Sequence, residues 1–169
     1  MIETFQLEEI LTQCNIIKEF VPLSEAVLGY YSFDGEYYII LINESIKGDH
    51  RLYRTVLAEE IGHYRTTIGD ITPRKYMCYS ERLIINKKEL LALKWAVNFL
   101  ISTQDLLDII KDKSVLSISE MADYFFVTEK FIYQKFEFMS KERLTWDIDS
   151  KRSLILSNLP SLFIYEKIK

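Results

Sequence analysis

Two adjacent carboxylates and an imidazole, Glu59, Glu60 and His63, lie within the stretch RTVLAEEIGHYRTT that runs from Arg54 to Thr67. In a helix, Glu59 and His63 leave the same face one turn apart and can bind one ion from two sides. The pattern is one substitution away from H-E-x-x-H, in which two histidines hold zinc and the glutamate between them acts as general base. Glu60 is turned roughly 100° from Glu59, which places it beside such an ion, against a water, without ligating. A catalytic zinc site takes three protein ligands and leaves one position open, so a third must come from another element. Glu89 is the candidate, because at helical spacing it aligns with Leu93, Ala96 and Leu100 on the apolar side of its own segment. Its competing role is the reciprocal partner of Asn86 in a capping box.

The helix that carries the first three residues must also bury them. Leu52, Tyr53, Val56, Leu57, Ile61 and Tyr64 form one broad arc that should face a core, and Arg54, Thr55, Ala58, Gly62 and Arg65 fall opposite. Glu60 lands amid the apolar arc, with Glu59 and His63 at its edge. A buried carboxylate needs a cation, a hydrogen-bond network or a wet cleft, because desolvation without compensation costs several kcal/mol. An ordinary helix with a Glu–His pair one turn apart and a partly exposed Glu60 accounts for the same three residues.

Around this helix, which is expected from about Asp49 to Thr67, the remaining elements follow from periodicity and punctuation. Leu7, Ile10, Leu11, Cys14, Ile17 and Phe20 recur at helical spacing, which predicts a first helix over 4–20 closed by Pro22. GYYSFDGEYYIILIN carries two β-prone runs around Asp34-Gly35, a hairpin signal with strands near 29–33 and 36–43. ITPRKYMCYSERLI reads as loop, and Asn86 caps a helix over 87–101. A short helix covers 104–111, a second capping box sits at Ser117 and Glu120, and a break at Val127-Thr128 precedes a helix from Glu129. The tail from Leu144 is β-prone. The whole is an α+β chain, a small antiparallel hairpin or sheet beside the site helix with four to six helices.

Composition narrows the function classes. The 169 residues, 49% hydrophobic and 14% aromatic, suit one domain with one core, and the scarcity of Gly and Pro leaves no flexible linker. A formal net charge of -4 gives no electrostatic footprint for nucleic acid. Residues 117–139 have a helix-turn-helix outline, yet TEKFIYQKFEF balances two lysines with two glutamates among aromatics, which argues against direct DNA contact. The acidic, amphipathic start lacks the features of a signal peptide, no apolar run reaches membrane-spanning length, and Cys14 and Cys78 lack a C-x-x-C spacing. These point to a reduced, cytoplasmic protein with no membrane partner.

Three blocks are similar to the ImmA/IrrE family of metallo-endopeptidases, over most of the chain. VPLSEAVLGYYSFDGEYYIILINESI resembles the family's hairpin, TVLAEEIGHYRTTIGD its active-site helix, and KKELLALKWAVNFLI its later E-x-x-A-x-x-F-A motif, with Glu89, Ala92, Trp95 and Ala96 in the matching places. SISEMADYFFVTEKFIYQKF resembles its C-terminal helical pair. The resemblance implies a single domain over 1–169 with a zincin-like site helix, His63 and Glu89 as metal ligands, Glu60 as general base and Glu59 as replacement for the usual histidine ligand. It implies zinc, and the more anionic ligand set brings manganese or iron(II) into range. It further implies a protein target, a transcriptional repressor of a phage or mobile element. A catalytically inactive member that binds and regulates a repressor is the alternative, motivated by Glu59. Hydrophobic clefts around Tyr53, Tyr64 and Trp95 are candidate seats for a peptide.

Overall fold

The computed structural model describes residues 2–67, 79–112 and 117–167, with 79–84 as backbone only. The chain is α+β, and its residues divide into two compact units, Ile2–Phe99 and Leu100–Lys169. Among the described residues there are six α-helices and two three-stranded sheets.

The first unit opens with helix α1, Thr4–Gln13. The helix expected over 4–20 ends early, because Asn15 takes a left-handed conformation at φ 52° and the chain turns directly into strand β1, Ile16–Val21. Asn is among the few non-glycine residues that adopt this conformation readily, and Ile16, Ile17 and Val21 are β-branched. The apolar residues that suggested helix here satisfy a strand instead. Strands β2, Gly29–Phe33, and β3, Tyr38–Asn43, make the expected hairpin, turned by Gly35 at φ 103° and by Asp34 Oδ1, which accepts from the amides of Glu36 and Tyr37. β3 is central: it pairs antiparallel with β2 and parallel with β1. The sheet is therefore mixed, not the antiparallel one expected, because α1 and β1 add a parallel strand to the hairpin.

Helix α2, His50–Thr66, matches its expected span. Asp49 caps its start by accepting from Leu52 N at 3.0 Å. Its burial differs from the amphipathic expectation, since Arg54, Thr55, Ala58 and Gly62, assigned to the solvent side, are all buried. The Arg54 guanidinium donates to the Ile2 carbonyl and to Thr4 Oγ1 at the start of α1, so α1 covers that side. Helix α3, Tyr79–Leu100, starts well before Asn86, which is exposed inside it. The cap at Asn86 and the capping-box role of Glu89 are thereby overturned: a solvent-facing Asn is tolerated mid-helix when its side chain does not compete for the backbone. Of the segment expected as loop, 79–84 is helical and 71–78 lies outside the described residues.

The second unit follows its local signals closely. Helix α4 spans Thr103–Asp112, and helix α5, Ile118–Phe125, begins at the Ser117–Glu120 capping box. Phe126 in left-handed conformation breaks the chain before helix α6, Glu129–Glu142, capped by Thr128. Strands β4, Thr145–Asp147, β5, Arg152–Ile155, and β6, Phe163–Glu166, form an antiparallel meander. The core of this unit contains Leu106, Phe125, Ile132 and Phe136. No helix among the described residues is long and apolar enough to cross a membrane.

Candidate metal centre

The site lies in the first unit and is assembled by α2, α3 and β2. Gly62 is the reason the two helices come close. A Cβ on it would stand 2.4 Å from the Ala92 carbonyl oxygen, so only glycine admits the α3 backbone at this point. One turn before Ala92, Glu89 consequently reaches α2, and its Oε2 lies 3.3 Å from His63 Nε2. The imidazole is 3% exposed, whereas the Glu89 side chain retains 48% of its accessibility. The pair thus joins a buried nitrogen to an oxygen open to solvent.

One further contact orients the imidazole. The Tyr31 ring stacks on it at 6.1 Å between centroids and 17° between planes. His63 Nδ1 is buried and has no hydrogen-bond partner among the described residues. Ring packing therefore holds Nε2 toward Glu89. Burial, reinforced by Tyr38 and Tyr64, pushes the Tyr31 phenol up to about 12, so it stays protonated through the neutral range.

Glu60 is 7% exposed. Its carboxylate lies against Gly29 at the start of β2, where an added Cβ would be 2.4 Å from Oε1. Burial raises its pKa to about 8, followed by the neighbouring charges of Glu59 and Glu89. Among the described residues the two charges named as acting on it, Glu59 and Glu89, are both carboxylates, which a nearby cation would offset.

All four residues expected at the site thus fall in one neighbourhood, with His63 and Glu89 in contact. Glu59 is half-buried and near enough to act on the Glu60 charge. Among the described residues, however, no three His, Cys, Asp or Glu side chains are gathered as a group that could hold a metal ion. The His63–Glu89 spacing does fit one ion. At 3.3 Å it is shorter than two metal–ligand bonds of about 2.0–2.2 Å end to end, as two ligands of a single ion must be. Glu59 lies one turn before His63 on α2.

No family model, curated protein or solved structure matches this chain. The chemistry of the site therefore rests on its geometry.

Of the aromatics considered as a peptide cleft, Tyr53 is committed elsewhere. Its hydroxyl donates to Glu8 and accepts from Lys18 Nζ at 2.7 Å, and its ring lies 5.5 Å from that of Phe20. Tyr64 sits edge-on to Tyr38 at 4.8 Å and shares a hydrogen bond with Cys14, which raises its pKa. Cys14 is free and half-buried, and Cys78 lies outside the described residues. Trp95 stacks on Phe99 and, with Leu91, Lys94 and Asn98, lines a groove of about 420 Å³ along α3.

Three contributors escape a reading of the sequence. Gly29 and Tyr31 both belong to GYYSF, in which only the hairpin is legible, and a glycine opening a β-prone run is the available sign of a close approach. Asn43, 3% exposed, uses its side-chain amide to donate to the carbonyls of Leu23, Ser24 and Val27, which fixes the loop leading into β2. Nothing in its sequence context marks that role.

Proposed function

We propose that the protein is a metal-dependent endopeptidase of the ImmA/IrrE kind, using zinc, with manganese or iron(II) as substitutes, and acting on a protein target. The observation that carries this reading is the meeting of His63 Nε2 and Glu89 Oε2 at 3.3 Å from two different helices, beside a buried glutamate. In this reading His63 and Glu89 are ligands, joined by Glu59. When bound, the ion supplies Lewis-acid polarisation of the scissile carbonyl and makes a water acidic enough to attack near neutral pH.

Beside such a cation Glu60 would be in its basic form, against the burial and the neighbouring Glu59 and Glu89 charges that raise its pKa. Glu60 then takes a proton from the attacking water as its oxygen bonds to the carbonyl carbon. It passes that proton to the leaving amine as the C–N bond breaks. Tyr31 keeps the His63 ring in place and holds its own proton throughout. The target as a transcriptional repressor of a phage or mobile element rests on the family resemblance of the three sequence blocks.

A second reading is favoured by one specific observation, the absence of a ready three-residue ligand group among the described residues where Glu59 replaces histidine. In it the chain binds and regulates a repressor without cutting it. Zinc titration into metal-stripped protein, with cleavage of a peptide library as second readout, separates the two. The peptidase reading expects stoichiometric zinc in wild type and in Glu60→Gln, loss of zinc in His63→Ala, and cleavage by wild type only. Zinc affinity that is unchanged in His63→Ala would sink it, and zinc binding without cleavage would leave the binding module.

A further inference from the structure

Gly29 sits in ordinary strand backbone, paired across from Ile42 of β3, and its lack of a side chain is not explained by a left-handed turn. The reason is spatial. A Cβ there would meet Glu60 Oε1 at 2.4 Å, Val56 Cγ1 at 2.7 Å and the Glu60 carboxyl carbon at 2.9 Å. Two of these three closest atoms belong to the glutamate. The strand cannot retreat from the helix, because it is held from its other neighbour: Asn43 N donates to the Leu28 carbonyl at 2.9 Å, and the Asn43 side chain clamps Leu23, Ser24 and Val27. On the helix side Glu60 is equally confined, since Leu57, Ile61 and Gly62 around it are buried. The carboxylate is therefore seated in the space left by one missing methyl group, between a clamped strand and a packed helix.

We propose that Gly29 is a positioning residue for Glu60, setting where the proton-transferring carboxylate rests while leaving the His63–Glu89 pair untouched. Its consequence for catalysis rests on the peptidase reading above; the seating itself does not. Filling the seat drives the carboxylate out along its own side chain. A displacement on the order of 1 Å at a reacting group is enough to cost about a hundredfold in rate.

The test is a double-substitution cycle read in two ways. Gly29→Ala is made alone, with Glu60→Asp, whose carboxylate is one methylene shorter, and with Val56→Ala, which removes the other contact. Thermal midpoints are measured on metal-stripped protein, where no activity is needed. Gly29→Ala is expected to lower the midpoint in the wild-type background and in Val56→Ala, and to lower it little in Glu60→Asp. On zinc-loaded protein, Gly29→Ala is expected to lower kcat by about tenfold or more with KM and zinc affinity nearly unchanged, and to add little to the defect of Glu60→Asp.

A midpoint penalty of the same size in the Glu60→Asp background, or one relieved by Val56→Ala instead, overturns the seating. Failure of Gly29→Ala to fold both alone and with Glu60→Asp overturns it as well, whereas rescue of folding by Glu60→Asp supports it. A wild-type protein that cuts nothing would defeat the peptidase reading and leave the midpoint cycle to decide the role of Gly29.

Discussion

The two compact units bury different things. In Leu100–Lys169 the interior is largely apolar, with Leu106, Phe125, Ile132 and Phe136 at its centre, and its helices start at side-chain caps on Ser117 and Thr128. In Ile2–Phe99 one helix alone carries Arg54, Thr55, Glu60 and His63 into the interior, where the Arg54 Nε and His63 Nδ1 have no hydrogen-bond partner among the described residues. Buried polar groups are costly unless paired: Arg54 and Thr55 are paired with the Ile2, Thr4 and Leu52 oxygens, whereas Glu60 and His63 lie at the candidate site. Local rules of capping and periodicity hold where only packing is required. At the site they place α2 and its Glu59–His63 face, but not the burial of the side of α2 opposite its apolar arc.

The contrast predicts opposite responses to substitution. The largest effect belongs to the second unit: Phe136→Ala should cost about 3–5 kcal/mol, since a fully buried aromatic leaves a cavity behind. The loss should be nearly the same at about pH 5 and about pH 9, since the neighbouring buried Lys135 keeps its Nζ on Thr103 Oγ1 and an ordinary lysine is charged at both values. Denaturant unfolding at the two pH values checks this, and a strongly pH-dependent loss would erase the distinction between the units.

In the first unit the sign reverses. The Glu60 carboxyl has a folded pKa of about 8 against an ordinary value of 4.5. Between those values the folded state holds a proton that the unfolded state has released, so the stability of metal-stripped protein falls as pH rises through this window. Glu60→Gln removes the titration. It should match wild type near pH 5 and exceed it above about pH 8 by a few kcal/mol at most, while abolishing cleavage if Glu60 is the base. Thermal scans in chelator at the two ends of the window provide the measurement. Parallel wild-type and variant curves would mean that the glutamate is not desolvated as described.

The smallest effect sharpens the comparison from the other side. Ser117→Ala removes an N-cap whose Oγ accepts from Glu120 N at 3.2 Å and should cost about 1 kcal/mol, independent of metal. A zinc-dependent penalty would show that the second unit is coupled energetically to the site.

Much of the site is legible in the order of residues. The i,i+4 relation of Glu59 and His63 and the inward placement of Glu60 follow from helical periodicity alone, and α2 spans His50–Thr66 as its caps indicate. Glu89 aligns in sequence with the buried Ala96 and Leu100 yet keeps 48% of its side-chain accessibility beside His63, and its competing role as a cap is decided by α3 beginning at Tyr79, upstream of Asn86. Strand β1 defeats periodicity because Ile17 and Phe20 continue the helical spacing of α1 while Ile16 and Phe20 also share one face of an extended chain, and the choice falls to a single left-handed residue, Asn15.

By itself, the sequence determined the chemistry available: two carboxylates and an imidazole on one helix, a third carboxylate on another, a hairpin turned at Asp34-Gly35, and a capping box at Ser117 and Glu120. Those features depend on neighbours within a few residues, whose relative directions are set by backbone geometry. Only the tertiary structure decided that His63 and Glu89 meet, that the side of α2 expected to face solvent is covered, and that two glycines make the close approaches possible. Gly62 against Ala92 and Gly29 against Glu60 are contacts between residues about thirty positions apart in the chain. Such contacts are set by which surfaces pack together, and a glycine selected for the absence of a methyl group looks, in sequence, like any other glycine.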